Sequence, residues 1–384
     1  MKAVIAIDSY KGSLSSIEAG RATEIGIKKV FPDAETIVLP IADGGEGTVD
    51  ALCGGLNGVK RSVTVTGPLG ECVTAEYGII QDNTAIIEMS SAAGITLIDS
   101  SKRNPLLTTT YGVGEIIKDA IDNGCRSFII GIGGSATNDG GIGMLQALGF
   151  SMLDEGGKDV PRGAIGLSAL SIIDASTALD ELKECTFKVA CDVTNPLCGE
   201  NGASAVFGPQ KGATPQMVTQ LDCWLSEYAS LTDKCLGSAD KDAPGVGAAG
   251  GLGFALRYYL KAELVRGIEL ILDEIKLEEY VKDADIVITG EGRLDSQTAM
   301  GKAPNGVAGI AKKWNVPVIA IGGSVLDDPT TSEGCLIDAC FSIMKKPCSL
   351  EEAMDVKNAS ENLTYTATQI FKLIKQLRRQ KNEP

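Results

Sequence analysis

The segment that decides the fold of this chain is Ile129-Ile130-Gly131-Ile132-Gly133-Gly134-Ser135-Ala136-Thr137-Asn138-Asp139-Gly140-Gly141. A short apolar strand is predicted at residues 127–130, and a helix is predicted at residues 144–148. Glycines after a strand let the backbone approach a ligand closely, and the N–H groups that open a helix attract anions. Such a polar loop suits a phosphate, a metal or a small polyol acid. The residues predicted to bind substrate or phosphate here are Gly133, Gly134, Ser135, Thr137 and Asn138.

The same segment also matches a dinucleotide-binding template. Gly131, Gly133 and Ala136 fit G-x-G-x-x-A, and Asp154 follows at about the distance of a ribose-binding acid. An NAD-dependent oxidoreductase is therefore an alternative. The continuation over residues 137–141 argues against it, because the dinucleotide-binding helix should already run there and two adjacent glycines disfavour a helix. A loop for a polar substrate or a phosphate is the favoured interpretation.

Similar strand–loop–helix units are predicted at both ends of the chain. The predicted strands are residues 2–7, 36–39 and 286–288, and the loops that follow them begin at Asp8, Asp43 and Gly290. Ligands of open parallel sheets bind beyond the carboxyl ends of the strands. We therefore expect these three loops to meet at one edge of one sheet.

The middle of the chain has a different, irregular and glycine-rich pattern, and 384 residues exceed the roughly 250–300 that one core usually serves. We predict an α/β fold in which residues 1–66 and 283–384 form a Rossmann-like domain with a doubly wound parallel sheet. Residues 67–282 are predicted to form an inserted second α/β domain. Within the C-terminal part, a strand is predicted at residues 316–321 and a helical tail at residues 349–377.

Composition limits the function. The net charge of −15 argues against nucleic acid and anionic membranes as partners, and no apolar run approaches the roughly 18 residues of a membrane span. The chain has no histidine, which excludes Ser-His-Asp and Cys-His catalysis and histidine-ligated metals. Eleven cysteines without a C-x-x-C pair predict a reducing, cytoplasmic location. Monomer and homodimer both stay open.

The polar loops favour phosphoryl transfer, which needs positioning, charge neutralisation and a metal, and little covalent chemistry. One acid in a loop is usually a cap or a turn residue. Five such loops at strand ends are harder to explain in that way, and they lie at residues 8–11, 43–47, 133–139, 192–196 and 290–295. Glu291 and Asp295 are predicted to hold Mg²⁺, and Asp192 is predicted to be the general base. Lys11 and Arg293 are predicted to be catalytic cations. Further predicted substrate-binding or phosphate-binding residues are Asp8, Ser9, Asp43, Gly44, Gly45 and Lys211.

These loops together resemble those of the bacterial type I glycerate kinase family. The matching segments, in chain order, are 7–11, 42–48, 66–70, 131–141, 190–197, 207–212, 245–251 and 288–295. The resemblance covers nearly the whole chain. It implies ATP-dependent phosphorylation of D-glycerate, usually to 2-phosphoglycerate, with Mg²⁺. It also implies two domains, one of them Rossmann-like and made from both chain ends.

A third interpretation belongs to another class of protein, a non-catalytic sensor that binds a hydroxy acid. Tight binding of glycerate without release of ADP would identify such a sensor. Retention of every acidic loop argues against it, because a sensor has no need of metal-binding carboxylates. The sequence therefore predicts a kinase whose substrates are D-glycerate and ATP.

Overall fold

The fold is taken from a computed structural model that describes residues 1–296, 298, 302–326 and 329–381. The chain divides into two compact units. The first comprises Met1–Asp43, Asp50–Asn57 and the chain from Ile268 onward, and the second comprises Gly44–Val49 and Gly58–Gly267. Residues 44–49 and 58–66, assigned to the first domain from the sequence, group with the second unit here. The predicted domain boundaries stay a prediction, and residues 382–384 lie outside the described residues.

The elements are numbered in chain order over the described residues. The strands are β1 (Lys2–Ile7), β2 (Glu35–Val38), β3 (Val59–Thr66), β4 (Cys72–Ile80), β5 (Thr84–Glu88), β6 (Ser127–Gly131), β7 (Ser151–Leu153), β8 (Ile172–Asp174), β9 (Thr186–Ala190), β10 (Glu263–Val265), β11 (Ile286–Leu294), β12 (Val318–Val325) and β13 (Ala339–Ser342).

The helices are α1 (Ser16–Lys28), α2 (Thr48–Gly55), α3 (Ser90–Ala93), α4 (Tyr111–Asp122), α5 (Ile142–Ala147), α6 (Ala203–Phe207), α7 (Pro215–Leu236), α8 (Ala248–Tyr259), α9 (Gly267–Glu274), α10 (Leu277–Val281), α11 (Ala303–Lys313), α12 (Leu350–Met354) and α13 (Val356–Lys381). None of these helices, within the described part of the chain, is long and apolar enough to cross a membrane.

The first unit contains a five-stranded sheet of order β13-β12-β11-β1-β2, in which every pair is parallel. Strand β1 lies between β11 and β2 and is buried from Ala3 to Ile7, as expected for a parallel strand that is covered on both faces. Helices α1 and α13 share its core, and they approach so closely that a Cβ on Gly26 would lie 2.7 Å from that of Ala367. The predicted α/β fold with a parallel sheet built from both chain ends is confirmed.

Two strands of this sheet are longer than the sequence predicted. Strand β11 continues through the 290–294 segment, which was predicted to be a loop, and β12 continues to Val325. Glycines in these stretches suggested turns, but here they permit close backbone packing: a Cβ on Gly290 would lie 2.1 Å from the carbonyl oxygen of Ile321. The C-terminal tail also differs, because Asp355 separates α12 from α13 and accepts the N–H of Asn358 at 2.9 Å.

The second unit contains a six-stranded sheet of order β10-β9-β6-β5-β4-β3. The pairs from β10 to β5 are parallel, and β4 and β3 add antiparallel edge strands. Strand β3 was absent from the sequence-based assignment because most of its residues are exposed and polar, which weakens the hydrophobic signal. The sheet is mixed, and its parallel part ends at Gly131 and Ala190, where the predicted polar loops begin.

Candidate active site

Asp8 lies directly beyond the carboxyl end of β1. Its backbone N–H donates to the carbonyl of Gly290 at 2.9 Å, and its carboxylate accepts the N–H of Ser9 at 2.6 Å. The side chain is buried, and burial raises the pKa of Asp8 to about 7 with further contributions from the negative charges of Asp43 and Glu291. The Ser9 N–H and Lys11 oppose this rise in pKa only in part. Asp8 is therefore poised to exchange a proton near neutral pH.

Lys11 lies on the same edge of the first-unit sheet as Asp8. Its Nζ is 3.3 Å from Oδ2 of Asp43, and both side chains remain well exposed to solvent. An exposed pair of this kind contributes roughly 0–1 kcal/mol to stability. The structure brings Asp8, Lys11, Asp43 and Glu291 within electrostatic reach of one another, as the loop pattern predicted.

Glu291 and Asp295 lie at the end of β11, with Lys302 close to both. Nζ of Lys302 is 3.8 Å from Oε2 of Glu291 and 3.7 Å from Oδ1 of Asp295. Oε1 of Glu291 accepts the hydroxyl of the buried Thr298 at 3.0 Å. Burial raises the pKa of Glu291, although Lys302 and Thr298 act against that rise. Arg293 is mostly exposed, with its Nε 3.8 Å from Asp295.

Lys302 and Thr298 were not among the residues predicted from the sequence. Lys302 occupies the N-cap of α11, with Pro304 in the first turn, and makes no capping hydrogen bond. A cation is disfavoured at a helix N-terminus, because the helix dipole is positive there. A lysine at that position was therefore the available signal for a role outside the helix. Thr298 gave no comparable signal.

The Glu291–Asp295 pair fits a magnesium ion that is shared with phosphate groups. Mg²⁺ commonly takes only one or two protein carboxylates and completes its shell with water and phosphate oxygens. Within the described residues, no group of three or more His, Cys, Asp or Glu side chains is arranged to enclose a metal. Glu291 and Asp295 could therefore hold Mg²⁺ together with water and phosphate oxygens.

The loop at residues 131–141, here called the glycine loop, follows β6 in the second unit. Gly133 and Gly134 are exposed, whereas residues 135–141 are buried. The backbone reaches α5 through Gly140 and Gly141 at φ of +63° and +78°, which glycine adopts readily. The helix therefore begins only at Ile142, after the G-x-G-x-x-A stretch has ended.

This geometry removes the support for a dinucleotide turn. Asp154, the proposed ribose-binding acid, follows a strand of a separate two-stranded sheet and accepts the N–H of Lys158 at 2.9 Å. It is a turn residue. Asp139, which ends the polar part of the glycine loop, is also structural: its carboxylate accepts the N–H and the hydroxyl of Thr110 at 2.8 and 2.9 Å. Burial raises the pKa of Asp139.

Lys211 lies behind the glycine loop and is buried. Its Nζ donates to Oγ of Ser135 at 2.8 Å and to the carbonyl of Thr137 at 2.7 Å. Asn138, also fully buried, donates from Nδ2 to Oγ of Ser204 at 2.9 Å. The structure thus joins Ser135, Thr137 and Lys211, and it adds Ser204, which the sequence analysis did not single out.

Gly44, Gly45 and Asp192 lie near the ends of β6 and β9. Gly44 has φ +85°, and a Cβ there would lie 2.5 Å from that of Ala190, so only glycine fits. A Cβ on Gly133 would lie 3.6 Å from Cα of Gly45. Asp192 is exposed, and its Oδ1 accepts the N–H of Gly267 at 2.9 Å. The second unit therefore presents glycine backbone and one exposed carboxylate beyond the same strand ends.

Comparison with known proteins decides the assignment. Residues 3–375 match the glycerate kinase family. The chain belongs to this family. It is 50% identical over 372 residues to glycerate 2-kinase of Escherichia coli K12, covering 95% of this chain and 98% of that protein. It is 51% identical over 376 residues to glycerate kinase of Bacillus subtilis 168, covering 98% of each.

A solved structure agrees with the sequence relatives. A crystal structure from Salmonella typhimurium LT2, provisionally assigned as glycerate kinase 2, superposes with a TM-score of 0.91 at 50% identity. The match covers 98% of this chain and 99% of that one. The resemblance to glycerate kinases that the loop motifs indicated is therefore confirmed. The role of each site residue stays a prediction.

For this family member, Arg293 offers a test of how the phosphate charge is held. Arginine can grip a phosphate or carboxylate with two parallel N–H groups, and lysine cannot. We expect Arg293→Lys to lower kcat/KM at least about tenfold, although the charge is kept. Steady-state kinetics would measure the change, with Arg378→Lys, an exposed arginine 3.0 Å from Asp285, as the control. Equal kinetics for both variants would show that Arg293 only pairs with Asp295 on the surface.

The raised pKa of Asp8 predicts how the free energy of unfolding changes with pH. Folded Asp8 keeps its proton up to about pH 7, whereas the ordinary carboxyl pKa is 3.8. Between these values the native state binds more protons than the unfolded state, so the contribution of Asp8 to stability falls as pH rises. The change is at most about 1.4 kcal/mol for each pH unit. We expect Asp8→Asn to gain stability over wild type from pH 4 to 7 and then level off. Urea unfolding in metal-free buffer measures this, and parallel pH profiles would contradict it.

Proposed function

We propose that this protein transfers the γ-phosphoryl group of ATP to a hydroxyl of D-glycerate and forms 2-phosphoglycerate. The observation that carries the proposal is the pair of carboxylates, Glu291 and Asp295, that flank Lys302 at the end of β11 in a chain of the glycerate kinase family. The relative from E. coli named glycerate 2-kinase supports the 2-position as the acceptor.

In the first unit, the side chains that we propose to act on the donor are acids and cations at the strand ends. Glu291 and Asp295 would hold Mg²⁺, which supplies positive charge that stabilises the phosphoryl group during transfer. Lys302 would keep the two carboxylates ionised and correctly spaced. Lys11 and Arg293 would offset the remaining phosphate charge.

In the second unit, the proposed groups act on anionic oxygens and on the acceptor hydroxyl. Exposed N–H groups of Gly133 and Gly134 and the neighbouring Gly44–Gly45 backbone would bind an anionic group closely. Asp192 would accept the proton of the glycerate hydroxyl while the oxygen of that hydroxyl bonds to the γ-phosphorus. The bond between the γ-phosphorus and the bridging oxygen breaks at the same time, and ADP leaves with that oxygen. No covalent enzyme intermediate is needed, which suits a chain that lacks histidine.

We also propose a cytoplasmic location. All eleven cysteines are free thiols, and several of them are buried. Free thiols without a disulfide framework are typical of a reducing compartment.

Release of ADP in the presence of purified protein tests this function. D-glycerate is expected to stimulate ADP release, and removal of Mg²⁺ is expected to abolish it. L-glycerate and lactate serve as matched acceptor controls, since each keeps a hydroxy acid group but alters the stereochemistry or the second hydroxyl. A rate of ADP release that is the same with and without D-glycerate would contradict the proposal. Tight glycerate binding without any ADP release would favour the sensor interpretation instead.

A further inference from the structure

The surroundings of Lys211 are unusual for a lysine. The side chain is only 2% exposed, and its ammonium group bonds to a hydroxyl and a carbonyl rather than to a carboxylate. Burying a cation without a paired anion is costly, so proteins seldom keep such a group without a function. Within the described residues, the ionisable group that acts on Lys211 is Asp139, whose oxygens already accept hydrogen bonds from Thr110 and Gly141.

The backbone fixes the position of Lys211. It ends a short 3-10 turn (Pro209–Lys211) and is followed by Gly212 at φ +92°. A Cβ on Gly212 would lie 2.4 Å from the carbonyl oxygen of Arg103, so only glycine permits this close approach. This closely packed turn therefore holds Lys211 behind the glycine loop. Direct contact between Lys211 and a substrate would require the turn to unpack.

The Lys211 ammonium group determines what the Ser135 hydroxyl can do. An ammonium group has only donors, so Oγ of Ser135 must accept its hydrogen bond. The hydroxyl proton of Ser135 is then directed elsewhere, and the nearby positive charge makes that proton a stronger donor. Ser135 retains 8% exposure and directly follows the exposed Gly133–Gly134 segment. The free proton of Ser135 is thus available at the loop that we propose binds an anionic group.

We propose that Lys211 is a positioning residue that orients the Ser135 hydroxyl to donate to an anionic substrate oxygen, either the carboxylate of the acceptor or a phosphate of the donor. This inference rests on the proposed function and deepens it, because it replaces a direct phosphate contact of Lys211 with action through Ser135. Thr137 and Asn138, which carry buried oxygen atoms without a partner among the described residues, line the same loop.

The protonation of Lys211 should also make substrate affinity depend on pH. Burial lowers the pKa of Lys211 to about 7, and Asp139 opposes this shift. Below that pH the ammonium group donates to Ser135. Above it the neutral amine can accept a hydrogen bond, and the Ser135 proton can turn inward to it. Substrate affinity that depends on Ser135 should therefore fall as the pH rises through about 7.

A double-mutant cycle with steady-state kinetics between pH 6 and 9 tests the inference. Lys211→Met and Ser135→Ala are each expected to raise the KM of the same substrate about tenfold at pH 6, with a smaller change in kcat. The double variant is expected to have the same KM as each single variant, because both single substitutions remove the same hydrogen bond from Ser135 to the substrate. A rise in the KM of D-glycerate assigns the bound group as the carboxylate, and a rise in the KM of ATP assigns it as a phosphate. Lys188→Met, an exposed lysine of β9, is the control and should not change either KM.

Two outcomes would overturn the inference while leaving the proposed function intact. One is additive effects on the KM, in which the double variant raises the KM about 100-fold. The other is a KM that keeps its pH dependence in Ser135→Ala, a variant that tests the inference even if Lys211→Met fails to fold. Wild-type protein that releases no ADP with D-glycerate would overturn the proposed function itself, and this result is known before any variant is compared.

Discussion

Replacing Asp192 with asparagine is expected to lower kcat by about 100-fold to 10,000-fold, the range that general acid–base catalysis usually contributes. Asparagine keeps an oxygen that can accept the N–H of Gly267, which Asp192 accepts at 2.9 Å, so the loop should hold its shape. The substitution removes the negative charge and the ability to take a proton. Steady-state kinetics at saturating D-glycerate and ATP would measure the loss, and circular dichroism would check the fold.

Asp174→Asn is the matched control for this experiment. Asp174 is a carboxylate of the same unit whose Oδ1 also accepts a backbone N–H, that of Ser176 at 2.8 Å. This control variant should keep wild-type turnover. If Asp192→Asn also keeps near wild-type turnover with normal Mg²⁺ dependence, Asp192 only caps the turn that its oxygen stabilises and the base assignment is wrong.

The second large effect is expected at the proposed metal carboxylates. Glu291→Gln and Asp295→Asn should each raise the Mg²⁺ concentration needed for half-maximal activity by about 100-fold or more, because loss of even an outer-shell partner typically costs 10–100-fold. Neither change alters side-chain size much. In Glu291→Gln the amide oxygen can still accept the Thr298 hydroxyl, which Glu291 accepts at 3.0 Å. Magnesium titration of ADP release would measure the shift.

The Mg²⁺ midpoints of these two variants distinguish metal binding by Glu291 and Asp295 from simple neutralisation of the charge of Lys302. Asp283→Asn removes an exposed carboxylate of the same unit that pairs with Lys2, and it should leave the Mg²⁺ requirement unchanged. An unaltered Mg²⁺ midpoint in both site variants would show that Glu291 and Asp295 serve only to neutralise Lys302. The metal would then have to be held by other groups.

Local patterns in the sequence predicted much of the first unit. The strand predicted at residues 2–7 corresponds to β1, and its apolar run is set by nearby residues alone. The acidic loop after β1 was also predictable, since strand ends collect polar groups. These features need no knowledge of distant contacts.

The features that sequence reasoning missed depend on tertiary contacts. The glycines of β11 suggested a loop, but its pairing with β12 extends the strand through Leu294. Lys211 lies between Gly208 and Gly212 in the sequence, but only the folded turn places it in a buried position behind Ser135. The proximity of Lys302 to Glu291 and Asp295 also becomes visible only in the fold, although a lysine at the N-cap of α11 was a local signal.

Phosphorus NMR of a reaction that contains the protein, ATP, Mg²⁺ and D-glycerate tests the proposed phosphoryl transfer most directly. We predict that a phosphate monoester signal appears as ATP is consumed, and that it is split into a doublet by the single proton on carbon 2 of glycerate. A triplet would place the phosphate on carbon 3 and contradict the proposed acceptor hydroxyl. Release of inorganic phosphate without any monoester would contradict phosphoryl transfer to glycerate altogether.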